Sequence, residues 1–111
     1  MYDEALAARV RDILANEPDL DERKMFGGLC FTLSGNMTCG IVGDSLMLRL
    51  NAQLAAAALH EPHTRPMDFT GRPMKGMVYV APLGLKERAL QRWLDVAIGY
   101  VRTLPAKPVR P

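Results

Sequence analysis

Apolar residues recur at helical spacing at the start of the chain. Leu6, Val10, Ile13 and Leu14 form one stripe over a stretch running from about Asp3 to Ala15. Asp3 and Glu4 lie at the positive end of that helix's dipole, and Asn16 and Pro18 close it. From Lys24 to Leu50 the period changes to two. Ser34-Gly35-Asn36 and Gly43-Asp44 interrupt it, and both read as hairpin turns. A two-residue turn at Gly43-Asp44 predicts Ile41 opposite Leu46, Cys39 opposite Leu48 and Met37 opposite Leu50. A three-residue turn at Ser34-Gly35-Asn36 predicts Leu33 opposite Met37, Phe31 opposite Cys39 and Leu29 opposite Ile41. These registers gather Leu29, Phe31, Leu33, Met37, Cys39, Ile41, Leu46, Leu48 and Leu50 on one face. A slip of one residue would turn a strand's set over to the other face. Cys30, Thr32, Thr38, Gly40, Val42, Met47 and Arg49 take the reverse face, which is expected to meet water or a partner.

An antiparallel sheet with one apolar face needs helices against it. Asn51 is a candidate cap for a short alanine-rich helix, Ala52 to Leu59, which Pro62 ends. Arg65 to Phe69 and Met77 to Ala81 read as two further strands, with Thr70 to Gly76 too long for a tight hairpin. A last helix runs from about Leu85 to Leu104 on a spine of Leu85, Ala89, Trp93, Ala97 and Val101. The prediction is an α+β fold in two layers, an antiparallel sheet with helices on one face, in the order α-β-β-β-α-β-β-α. Residues 1–104 form the domain. Residues 105–111 hold three prolines and two cations, and are expected to be a disordered, basic, Pro-rich tail.

The chain of 111 residues fits one domain. Apolar residues make up 49% and charged residues 23%, enough for one core without a metal or disulfide framework. The net charge of +2 is too small to make nucleic-acid binding the default. No apolar run approaches the roughly 20 residues needed to span a bilayer. The acidic start lacks the pattern of a secretory signal. A cytoplasmic location without membrane attachment is therefore expected, with both cysteines reduced.

Candidate chemistry is sparse. Cys30 and Cys39 fall on opposite faces of the predicted sheet, which argues against a disulfide. Their spacing is not that of a zinc site. Cys39 reads as a buried small hydrophobe, and Cys30, on the more open face, is the thiol to watch. His60 and His63 flank Pro62, which breaks any helix that would align them, so no metal site is expected. No hydrolase elbow, phosphate loop or dinucleotide fingerprint occurs. Gly27-Gly28 precedes a strand rather than a helix, and suits a bend between a short edge segment and the main meander. Arg23 and Lys24 precede the sheet. Arg65, Arg72 and Lys75 flank the long connection and would make an anion-attracting edge if they converge, while Arg49 lies on the reverse face. Seven aromatics, mostly at core positions, offer no stacking platform for single-stranded nucleic acid.

Arg23-Lys24-Met25-Phe26-Gly27-Gly28-Leu29 resembles the N-terminal domain of the TfoX/Sxy family. So do Gly35-Asn36-Met37, Gly43-Asp44 with Leu48-Arg49-Leu50, and Thr70-Gly71-Arg72-Pro73-Met74-Lys75-Gly76 with Val78. In this order the segments cover about residues 5 to 100. The resemblance implies a two-layer fold similar to the secretion-chaperone-like and YjbR-like folds, with no catalytic activity, catalytic residue or cofactor. Two-domain members promote expression of bacterial DNA-uptake genes, some together with the cyclic-AMP receptor protein. This sequence is expected to be a stand-alone first domain. Met25 and Phe26 are expected to anchor the core at the sheet edge, and Gly27, Gly28, Gly35, Gly43 and Gly71 to set turns and bends. Pro73 stiffens the presentation of Arg72 and Met74. Either the two form a contact point, or Met74 folds back onto the core and Arg72 pairs with a carboxylate such as Asp68.

The function expected is a non-enzymatic regulatory module that binds a protein partner such as the transcription machinery, through Arg49, Arg65, Arg72, Met74 and Lys75. Direct nucleic-acid binding and a small-ligand site are the alternatives. A homodimer, through an edge strand or the reverse face, is also open.

Overall fold

The computed structural model describes residues 2–25, 27–68 and 73–107, with backbone alone at 68 and 73–75. Helix α1 (Glu4–Leu14) opens the chain, and Asp3 caps it. The Asp3 carboxylate accepts hydrogen bonds from the N–H groups of Ala5 at 2.9 Å and Leu6 at 3.1 Å, two donors that the first helical turn leaves without partners. Then follow β1 (Leu20–Met25), β2 (Gly28–Leu33), β3 (Asn36–Val42), β4 (Ser45–Arg49), α2 (Ala52–Ala58), β5 (Thr64–Asp68), β6 (Pro73–Val80) and α3 (Arg88–Val101). The strands form one six-stranded antiparallel sheet in the spatial order β1-β2-β3-β4-β6-β5.

The α+β class and the single helix layer stand as expected. Leu6, Val10 and Leu14 of α1, Ala55 and Ala58 of α2, and Leu90, Trp93, Leu94 and Ala97 of α3 share one core with Leu29, Phe31, Cys39, Ile41, Leu46, Leu48, Leu50, Val78 and Val80. The Gly43-Asp44 turn sets Ile41 opposite Leu46 and Cys39 opposite Leu48, as the sequence predicts. Asn51 caps α2, its side chain accepting from the Leu54 N–H at 2.7 Å.

Several features differ from the expectation. A strand, β1, precedes the three expected ones, so Arg23 and Lys24 lie within the sheet. Its sequence Leu-Asp-Glu-Arg-Lys-Met shows no alternation because it lies at the edge, exposed beyond Leu20. The next turn has two central residues, Ser34 and Gly35, both at positive φ (50° and 81°), as a type I′ turn requires. Leu33 therefore pairs with Asn36 rather than Met37. A bulge, with Thr38 as the extra residue opposite the Phe31–Thr32 step, restores the expected register from Cys39 onward and leaves Met37 on the reverse face. Helix α3 starts at Arg88, not Leu85, because Pro82–Gly84 form a 3-10 turn and Glu87 sits at φ 56°. The tail is anchored at its start. Asn36 Nδ2 donates to the Pro105 carbonyl at 2.9 Å, and the Lys107 N–H donates to the Ser34 carbonyl at 2.8 Å. Residues 108–111 lie outside the described residues.

Strand β6 is longer than expected and joins β4 through Gly76. The Leu50 N–H donates to the Gly76 carbonyl at 2.6 Å. Gly76 has φ +81°, and a Cβ there would run into the Leu50 carbonyl oxygen. Gly76→Ala is expected to cost about 2 kcal/mol through left-handed strain, before any displacement of Leu50. Asn51→Ala removes a cap and should cost about 1 kcal/mol. Urea denaturation of both variants against the parent checks the ranking.

Candidate functional site

The face away from the helices is built from one row of residues that crosses all six strands: Arg23, Cys30, Gly40, Met47, Tyr79 and Arg65, each paired with the next. Cation, small residues, methionine, aromatic and cation thus follow in order. The face is expected to meet water or a partner, and its centre is closed to water by the chain's own side chains. Cys30, Met47 and Met67 are each 2% exposed and Met77 is 6% exposed, with Met37 and Tyr79 packed beside them. The reason is the reach of methionine. Met47 lies across Gly40, its Cε 2.8 Å from where a Cβ would stand, so glycine makes room for a side chain from the next strand. Buried Thr38 turns its hydroxyl inward, donating to the Asn36 carbonyl at 3.2 Å.

Arg65 frames this cluster at one side. Its guanidinium carbon lies 4.6 Å from the centroid of the Tyr79 ring, a cation–π arrangement. Its Nη1 also reaches Ser45 Oγ at a loose 3.5 Å. Arg49 is half-buried opposite Met77, with no hydrogen bond or ion pair among the described residues. The site thus holds two cations whose charge is not neutralised by a described carboxylate, one of them stacked on a tyrosine. Such groups bind carboxylates or phosphates by directed hydrogen bonds.

Of the residues expected to bind, Arg49 and Arg65 share this face. Arg72 lies outside the described residues, as do the side chains of Met74 and Lys75, whose backbone belongs to β6. Phe26 and Gly71 also lie outside them. Met25, expected in the core, is 39% exposed. It ends the edge strand opposite Gly28, on the face the helices do not cover. Tyr79, Met67 and Met77 were not foreseen. Tyr79 alternates with Val78 and Val80, which face the helices, so the register of β6 would have placed it. That register cannot be read from a turn, because β4 and β6 are not consecutive in the chain.

His60 and His63 lie in the turns between α2 and β5, both exposed, and the His63 carbonyl accepts from the Ala81 N–H at 2.8 Å. Among the described residues, no three His, Cys, Asp or Glu lie together as an ion-binding group. Among the same residues, no helix is long and apolar enough to cross a membrane.

A family model for the TfoX N-terminal domain matches residues 12–100. The match takes in the end of α1 from Asp12, the whole sheet and nearly all of α3. No curated protein matches the chain.

Both thiols are free and buried, Cys39 in the helix-side core and Cys30 in the methionine cluster. Burial pushes both thiols up from the ordinary cysteine value, Cys39 strongly. A raised pKa keeps them protonated at neutral pH, and the thiolate is the reactive form. Neither is expected to react with a thiol reagent such as dithionitrobenzoate in the folded chain, while both react in denaturant. Fast labelling of Cys30 in the native protein would show that the cluster opens.

Proposed function

Because this chain belongs to the TfoX N-terminal domain family, we propose that it is a non-enzymatic regulatory module of the bacterial cytoplasm that acts by binding a protein partner, such as the transcription machinery. The observation that carries this reading is the one-sided layering. All the helices pack on one face of the sheet, and the other face sets Arg49 and the Arg65–Tyr79 pair around a packed methionine cluster. Arginine and tyrosine are the residue types that most often anchor protein interfaces. A sheet backed by a core holds them at fixed spacing, which lowers the ordering cost of binding. The partner surface this arrangement fits is acidic, with carboxylates to meet the two guanidinium groups and an apolar patch to meet Tyr79.

The reading is tested by cross-linking tagged protein in the source cell and recovering what it holds. A specific protein partner is expected, and the double variant Arg49→Glu/Arg65→Glu should weaken its capture about tenfold or more. Both side chains lie outside the core, so circular dichroism should show the variant folded. Failure to recover a specific partner, or equal capture by parent and variant, would count against the proposal.

A further inference from the structure

The two edges of the sheet are unlike. Strand β5 carries Pro66, which has no N–H, and its register shifts between Pro66 and Asp68. Both features obstruct the addition of another strand. Strand β1 has neither. It pairs with β2 alone, in unbroken register, and every residue after Leu20 is exposed. The direction of its backbone groups follows from the neighbouring bond. The Ser34 N–H donates to the Asp19 carbonyl at 3.0 Å, in line with the pairing of Leu20 with Leu33. Bonding alternates along an antiparallel pair. Asp21, Arg23 and Met25 thus turn their N–H and C=O groups to β2, and Leu20, Glu22 and Lys24 turn theirs outward. Among the described residues, no other segment of the chain hydrogen-bonds to that outer edge.

We infer that a second copy of this chain occupies that edge, its β1 running antiparallel to the first, with Glu22 opposite Glu22 on a two-fold axis. Residues opposite each other in an antiparallel pair share a face, so a symmetric pair must place some residue opposite itself. Centring on Glu22 uses all three outward residues, because Leu20 then bonds with Lys24 of the second copy. It also sets Asp21 opposite Arg23 of the second copy, and the reverse. Within one strand Arg23 Nε already meets Asp21 Oδ2 at 2.9 Å. Across the axis the four charges alternate in sign. The carboxylates of the two Glu22 residues do not meet bare, because Arg11 clamps each through bonds of 2.8 and 2.9 Å. Centring on Arg23 instead would face arginine with arginine and leave the outward groups of Leu20 unpaired. Like charges directly opposite destabilise a sheet.

A single edge pair is a small contact, so the association depends on concentration and salt. This inference does not rest on the partner proposed above, and it is tested on the purified chain alone. Sedimentation equilibrium from micromolar to submillimolar protein is expected to show the mass rising toward two chains. Arg23→Asp, or Asp21→Arg, puts like charges opposite each other twice and should weaken the dimer about tenfold or more. Mixing the two folded variants restores opposite charges at both contacts, and the heterodimer should form at parent strength. A mass of one chain at every concentration would overturn the inference. So would a dimer indifferent to either single variant, or a mixture that stays apart.

Discussion

Cys39, Ile41, Leu46 and Leu48 have no exposed surface, and all four face the helices because two residues, Gly43 and Asp44, separate their strands. One residue more or less in that turn would send the Leu46–Leu48 set to the opposite side. Burial of each such side chain contributes about 1.5–3 kcal/mol, so the wrong phase would forfeit a large share of the stability of a domain this size. The phase also decides where the helices go. Val10 and Leu14 of α1 and Trp93, Leu94 and Ala97 of α3 have one apolar surface to cover, and they share it. Arg102 then ties the end of α3 to the rest, donating to the Pro18 carbonyl at 2.8 Å and the Glu17 carboxylate at 3.1 Å.

What the sequence made legible was governed by local chemistry. Asp3 and Asn51 announce helix starts because a short oxygen-bearing side chain can satisfy N–H groups that a helix leaves unpaired. Gly43-Asp44 announces its hairpin because glycine readily takes the positive φ, 61°, that the first turn position adopts. The failures came where local chemistry was silent. Strand β1 needs no apolar alternation, since an edge strand is held by one ladder and solvated elsewhere. The bulge at Thr38 re-phases β3 by one residue, which no composition signals, and so Met37 was assigned to the wrong face. The start of α3 turned on the backbone of Glu87, held at positive φ, a conformation its residue type does not advertise.

The candidate site was half legible for the same reason. Arg49 follows from the β3–β4 hairpin, whose turn sets it on the reverse face. Arg65 stands out by its charge, yet its partner Tyr79 depends on the β5–β6 register, which no tight turn fixes and which shifts between Pro66 and Asp68. The methionine cluster was missed because a reverse face with Cys30, Gly40 and Val42 reads as mixed and open. Methionine changes that reading. A long unbranched side chain crosses a neighbouring glycine and closes the gap, where a branched side chain could not. The face is thereby firm at its centre and polar at its margins, the distribution that protein interfaces use.

Pairing at β1 would bear on how such a face works. The two-fold axis of an antiparallel edge pair stands perpendicular to the sheet. Both helix layers then lie on one side of the joined sheet, and both reverse faces lie on the other. Arg23 of each copy sits near the axis, while Arg65 of each lies on β5, at the far edge. A dimer built this way presents two copies of the Arg65–Tyr79 pair in one direction, separated by the width of both sheets. A partner with two acidic sites at matching spacing would bind the pair by avidity, because the second contact forms within the complex already made. A partner with a single site would gain nothing from the pairing. The edge strand, with no apolar face of its own, would then set which partners the reverse face can hold.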